Sequence, residues 1–168
     1  MIKINPRRFR LPTPMECRLV ATVGGVGDRK PVPGTLGSLV ALPPGLLVLA
    51  LLGWQALAVL AIGLFFVGWW AIKRSRDQFA MVDAPQIVVD EVVGMWISLL
   101  VINPTVPIEI VMAFLLFRYF DWDKPWPISV VQRRMLTPLG VMLDDVLAAV
   151  LTIIFLVAFT PLVHAYFV

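Results

Sequence analysis

Histidine and cysteine are almost missing from this chain: among its 168 residues there is one of each, His164 and Cys17. A lone cysteine excludes an intramolecular disulfide and a thiolate metal site. It also fails as a phosphatase nucleophile, which needs an arginine six residues on, because Val23 stands there. A lone histidine excludes a histidine-rich metal centre. Charge is scarce as well. Only 15% of residues are charged, 60% are hydrophobic and the mean hydropathy is +0.89, far above what a soluble domain needs for its core. The expectation is an all-α integral membrane protein. With roughly 20 apolar residues needed per helical span, the length leaves room for one helical bundle. The first 30 residues contain no continuous apolar core, so they are not expected to be a cleaved signal peptide, and the first span is expected to direct insertion.

What the chain does have is apolar runs, at about 36–53, 55–72, 87–102, 108–121 and 141–160. They predict a compact bundle of about five transmembrane helices. Four spans plus a re-entrant segment, with Pro43-Pro44 breaking the first run, is the alternative. Residues 1–33 read as a polar, basic cytoplasmic segment, and residues 34–168 as a single transmembrane helical catalytic domain. Asn103-Pro104-Thr105-Val106-Pro107 suits a tight reversal between the third and fourth helices.

The net charge of +3 does not point to nucleic acid, since the basic residues gather at the ends of apolar runs, where topology and anionic lipid explain them. If the chain alternates sides from a cytoplasmic N-terminus, all fourteen Lys and Arg fall on the cytoplasmic side. The connections at 53–55 and 103–107 carry none, and His164 to Val168 fall outside.

Five of the eleven acidic residues interrupt or border apolar helices: Asp90 and Glu91 in IVVDEVVGMW, Asp121 in LLFRYFDW, and Asp144 and Asp145 in VMLDDVLAAV. A carboxylate at membrane depth is costly unless it is paired, hydrated or bound to a cation. The alternation places all five at one depth, the cytoplasmic end of their helices. Gathered there they would repel, and a bound cation relieves that. Oxygen-only ligands suit a hard ion, Mg²⁺ or Mn²⁺, better than zinc. The bland alternative is that the acids pair with Arg118 and Lys124 or sit at helix starts, where the dipole favours them. Adjacent residues on a helix point about 100° apart, so one member of each pair is expected to ligate metal while the other supports it or meets substrate. Arg118 shares a helical face with Asp121, and Lys124 follows where Pro125 stops the helix. Together they supply the cations a phosphate requires. Pro33-Gly34-Thr35-Leu36-Gly37-Ser38, ahead of the first span, offers backbone N–H groups and two hydroxyls at the same level, a weak anion-site signal that an ordinary N-cap by Thr35 or Ser38 also explains. Asp121-Trp122-Asp123 matches the aspartate-nucleophile pattern by chance only, since that pattern belongs after a strand in a soluble α/β domain.

Four blocks, PGTLGSLVALP at 33–43, DAPQIVVDEVVGMW at 83–96, FRYFDWDKPWPI at 117–128 and GVMLDDVLAAV at 140–150, resemble the phosphatidylglycerophosphatase A family in order and spacing. The resemblance covers about residues 24–160. It implies a Mg²⁺-dependent enzyme of the bacterial inner membrane, multi-pass and with its active site on the cytoplasmic side, that hydrolyses the phosphomonoester of phosphatidylglycerophosphate to phosphatidylglycerol and phosphate. Carried over by position, it implies roles for Thr35, Gly37, Ser38, Asp83, Asp90, Glu91, Arg118, Asp121, Lys124, Asp144 and Asp145. Asp90, Glu91, Asp121, Asp144 and Asp145 would be the catalytic and Mg²⁺-holding acids, and Arg118, Lys124, Thr35, Gly37 and Ser38 the phosphate-binding residues. Asp83 would support them. The chain departs from the family in having Val82 where some members have histidine, and Ala149 where a glycine is frequent. A small cation transporter would spread its acids through the membrane depth, and a non-catalytic membrane subunit would release no phosphate.

Overall fold

The computed structural model describes residues 13 to 167. Arg7, Arg8 and Arg10 of the expected cytoplasmic segment, and Val168, lie outside the described residues. Six α-helices make up the described fold: α1 (Pro14–Ala21), α2 (Pro33–Arg74), α3 (Val89–Ser98), α4 (Pro107–Asp123), α5 (Ile128–Arg134) and α6 (Pro138–Phe167). Among the described residues there is no strand.

The 42-residue α2 is two helices in succession, separated by Gly53, whose backbone (φ 81°, ψ 174°) is not helical. Only glycine adopts that conformation without steric cost. Packing shows that the two limbs fold back on each other. Gly37 lies against Val88, and Gly68 lies against Val89. In a straight helix residues 37 and 68 would be roughly 46 Å apart at 1.5 Å per residue, yet they meet adjacent residues. The chain therefore reverses near Gly53, as the apolar runs at 36–53 and 55–72 predict. Pro43 and Pro44 do not break the first limb. A stripe of small residues, Gly37, Ala41 and Gly45, runs along it at a spacing of four, and the Trp96 indole donates to the Ala41 carbonyl at 2.9 Å. Such a stripe lets α3 approach closely.

Among the described residues two stretches are long and apolar enough to cross a membrane, Pro33–Arg74 and Pro138–Pro161, with hydropathies of 2.3 and 2.4. At 1.5 Å per residue, the ten residues of α3 fall well short of a hydrocarbon core of about 30 Å. Instead α3 is enclosed by its neighbours, with Val89, Asp90, Val92, Val93, Gly94, Met95 and Ser98 all buried. Leu47, Leu51, Leu52, Val59 and Ile62 on α2, and Ile154 and Val157 on α6, are exposed, an apolar surface suited to lipid.

The reversal between α3 and α4 is built as its sequence predicts. Asn103 Oδ1 accepts from the Thr105 N–H at 3.0 Å and from its hydroxyl at 2.8 Å, Glu109 accepts from the Asn103 N–H at 2.6 Å, and Pro107 opens α4. Two helices were not expected. Within residues 1–33, α1 is capped by Thr13 and Glu16, and α5, in the 118–140 connection, buries Ile128 completely.

The end of α1 and the segment after it lock the start of α3 in place. The Val88 N–H donates to the Ala21 carbonyl at 3.0 Å. Gly27 packs so tightly on Gln86 that an added Cβ would lie 1.9 Å from its carbonyl oxygen. Asp90 and Glu91 follow immediately. Gly94, one turn further on, lies against the Phe117 ring of α4 and the Asp145 carbonyl of α6, where an added Cβ would come within 2.5 Å and 3.1 Å. This close approach draws the acidic turns of α3 and α6 together.

Candidate active site

Eight of the residues singled out from the sequence, Thr35, Asp83, Asp90, Glu91, Arg118, Asp121, Lys124 and Asp145, line one cavity of about 520 Å³. The start of α2, the turn before α3, the end of α4 and the first turns of α6 meet there.

The carboxylates sort into two groups. Asp121 and Asp144 have cation partners: Arg118 Nη1 is 2.6 Å from Asp121, and Lys124 Nζ is 2.6 Å from Asp144 and 3.9 Å from Asp121. Asp90, Glu91 and Asp145 form a triad, each offering an oxygen within 4.8 Å of the other two. Glu91 Oε2 and Asp145 Oδ2 are buried and accept no hydrogen bond. Two buried carboxylate oxygens without a donor, on acids that converge, are what a hard cation would satisfy, and the all-oxygen donor set agrees. The residues therefore fit Mg²⁺.

Within the DD pair the side chains diverge as the helix geometry predicts: Asp144 goes to Lys124 and Asp145 to the triad. The DE pair behaves otherwise, since Asp90 and Glu91 both reach the triad. Asp90 Oδ1 accepts from the Glu91 N–H at 3.0 Å, as Asp144 Oδ1 does from the Asp145 N–H at 3.1 Å. The pairs differ in that Lys124 draws Asp144 away, whereas among the described residues no cation holds Asp90 and the longer Glu91 side chain reaches the triad. The helix start also favours their negative charge.

Lys124 ends α4 in a left-handed conformation (φ 44°), ahead of Pro125. Burial pulls its pKa down, but Asp144 beside it, with Asp145 and Asp121 behind, outweighs that and leaves it above the ordinary lysine value. The ammonium therefore stays charged throughout the neutral range. Lys124→Met strands the buried Asp144 carboxylate without its cation, and is expected to cost about 3 kcal/mol of stability, read as a lowered Tm in detergent. An unchanged Tm would show the pair to be dispensable.

Arg118 reaches across to the first limb of α2, donating to Ser38 Oγ at 3.4 Å. Ser38 is buried behind the cavity, and its hydroxyl donates to the Gly34 carbonyl at 3.0 Å. Gly37 does not line the cavity; it is a contact point for Val88. Neither Thr35 nor Ser38 caps α2, whose N-cap, Val32, makes no side-chain bond. The positive end of the α2 dipole is left facing the cavity where Gly34 and Thr35 line it. Asp83 lies on the wall and accepts from Gln132 Nε2 at 3.4 Å.

Two features escaped the sequence reading. An added Cβ on Gly34 would lie 2.2 Å from Glu91 Oε1 and 3.3 Å from Arg118 Nη2, so Gly34 is the floor on which those groups rest. Its signal was present in PGTLGS but indistinguishable from an ordinary helix start. Leu115, Tyr119 and Trp122 form an apolar wall, which spacing along α4 shows only once the cavity's position is known.

The family model described as Phosphatidylglycerophosphatase A matches residues 19–160. The chain is 35% identical over 155 residues to the phosphatidylglycerophosphatase A of Haemophilus influenzae, covering 92% of this chain and 94% of that one. It is 34% identical over 146 residues to the Escherichia coli protein of the same name, covering 86% and 83%. It is also 36% identical over 142 residues to a Bacteroides thetaiotaomicron protein named, provisionally, a phosphatidylinositol-3-phosphatase, covering 81% and 88%. No solved structure matches it significantly. With the match running through every helix that builds the cavity, the chain belongs to the phosphatidylglycerophosphatase A family.

Proposed function

We propose that this phosphatase hydrolyses the terminal phosphomonoester of phosphatidylglycerophosphate in a Mg²⁺-dependent reaction at the cytoplasmic face of a bacterial inner membrane. The observation that carries the reading is the division of charges at one cavity: a triad of carboxylates without a cation partner, Asp90 and Asp145 buried and Glu91 half-buried, beside two cations, Arg118 and Lys124, held by two other acids. Asp90, Glu91 and Asp145 would hold Mg²⁺, with Asp121 and Asp144 behind them. When bound, the ion supplies charge neutralisation at phosphate oxygens.

The chain's own groups do the rest. Asp121 fixes the Arg118 guanidinium, leaving its remaining N–H groups for phosphate oxygens. Lys124 adds a point charge on the same wall. The uncapped start of α2 contributes Gly34 and Thr35 N–H groups at the positive end of the helix dipole. A carboxylate in the cavity then activates water or attacks phosphorus directly. Quenching the reaction with acid after adding labelled substrate separates the routes, since only direct attack leaves an aspartyl-phosphate.

In this reading the two limbs of α2, α3, α4 and α6 form a multi-pass bundle with the N-terminus cytoplasmic, a topology that would put all fourteen Lys and Arg on the cytoplasmic side. A lipid substrate keeps its acyl chains in the bilayer and presents its phosphate at that edge.

The test is phosphate release from phosphatidylglycerophosphate by the purified protein. Release is expected with Mg²⁺ and is expected to vanish in EDTA. Turnover that persists in EDTA overturns the metal site, and no turnover overturns the substrate. Phosphatidylinositol 3-phosphate belongs in the same assay, because the Bacteroides relative carries a name for that activity.

A further inference from the structure

The cavity that holds the acids is not lined by polar groups alone. Its α4 wall is Leu115, Tyr119 and Trp122, and Val32 stands on the α2 side. All four are open to the surroundings, at 58%, 53%, 83% and 51% exposure. On α4 they continue a stripe, Ile108, Val111, Leu115, Tyr119 and Trp122, whose spacings of three and four keep it on one helix face. At 1.5 Å per residue, Leu115 lies roughly 9 Å further down α4 than Asp121. One end of this apolar stripe thus opens into the charged cavity, and the other runs back along the helix to its start at the 103–107 reversal.

We infer that the cavity opens sideways between Val32 and the Leu115–Tyr119–Trp122 face of α4, and that this face receives the acyl chains of the lipid whose phosphate is hydrolysed. The inference rests on the phosphatase reading and deepens it by naming the residues that select a membrane-embedded substrate. The charge pattern favours that occupant: a ligand with one anionic end and a long apolar body is the chemistry that matches cations and acids at one end of a groove and exposed Leu and Val along the rest. Tyr119 and Trp122, each with an apolar ring and a polar tip, stand at the junction where such a molecule changes from wet to dry. A free sugar phosphate would use the cavity and leave the stripe untouched.

The experiment compares kcat/KM for dioleoyl and dihexanoyl phosphatidylglycerophosphate, using the full-length protein in detergent. The dihexanoyl lipid carries the same headgroup on short tails, so the long-to-short ratio isolates the contribution of the groove. Leu115→Trp, which narrows the groove, is expected to lower that ratio about tenfold, and Trp122→Ala, at a site too exposed to threaten folding, about fivefold. Val157→Trp, on the exposed face of α6, is the control for general disturbance of the lipid shell and is expected to leave the ratio as in the wild type. A ratio within twofold of wild type for both α4 variants overturns the inference, as does an equal drop in Val157→Trp. Disulfide-linked dimers formed in high yield by Leu115→Cys would also overturn it, because a second copy would then cover the face. A wild-type protein that hydrolyses neither lipid removes the phosphatase reading and this inference with it, whereas hydrolysis of both with an unchanged ratio in the variants removes this inference alone.

Discussion

Asp145→Asn is expected to lose about a thousandfold in kcat while the protein becomes no less stable in EDTA. The two effects have one origin. Asp145 is buried and shares a triad with Asp90 and Glu91, and its Oδ2 accepts no hydrogen bond. In the absence of metal, three such carboxylates repel one another, so neutralising one relieves the apoprotein. With metal, the lost ligand removes transition-state stabilisation of about 4 kcal/mol, and each 1.36 kcal/mol is tenfold in rate. Thermal unfolding provides a readout independent of turnover. Mg²⁺ at about a hundred times its Kd stabilises the wild type by about 2.7 kcal/mol, and the variant is expected to show no such response. Asp123→Asn is the matched control, since Asp123 is exposed and does not line the cavity. A retained Mg²⁺ response in Asp145→Asn, or activity within tenfold of wild type, would show that the triad does not hold the ion.

Gly34→Ala is expected to abolish most activity with little change in Tm. The added methyl would stand 2.2 Å from Glu91 Oε1. That oxygen is the free end of a flexible side chain, so the fold yields cheaply, but the carboxylate must leave the triad to make room. Displacing a catalytic group by about 1 Å costs on the order of a hundredfold, and the Arg118 guanidinium, 3.3 Å from the same point, moves with it. The expected pattern is therefore a large fall in kcat at near-constant stability. A fall in Tm of several degrees together with activity would point to general damage, and full activity would show that Glu91 works from another position.

Much of the architecture was legible in the sequence because hydropathy and charge act locally. The apolar runs at 36–53 and 55–72 were each about the length of one span, and the backbone break falls between them at Gly53. The prolines of 103–107 marked a reversal because they lack N–H groups to continue a helix. Pro43-Pro44 were the misleading signal: they lie inside a helix that continues through them. The short helices α1 and α5 escaped because neither is an apolar run, although Thr13-Pro14-Met15-Glu16 carries the capping box that starts α1. A helix of seven or eight residues has no stability of its own in water.

The candidate site divides along the same line. Which residue types were present, and that the acids and cations belong to the same end of their helices, followed from sequence, since position along a helix axis is set by counting. Which acid meets which cation did not, because that depends on how each helix is rotated and how closely its neighbours approach. Gly94 lets α3 come up against the Asp145 turn of α6, so that Asp90, Glu91 and Asp145 converge without a cation among them. Lys124, turned by its left-handed backbone, takes Asp144 instead. Gly34, which has no side chain to announce a role, became part of the site only where the backbone of α2 passes beneath Glu91. The sequence by itself determined that a strongly apolar, helical chain of the phosphatidylglycerophosphatase A family carries its acids and cations at matching ends of its helices. The tertiary structure decided how five carboxylates divide between pairing with cations and standing open to one, because that division is made by contacts between helices that no spacing within a helix can specify.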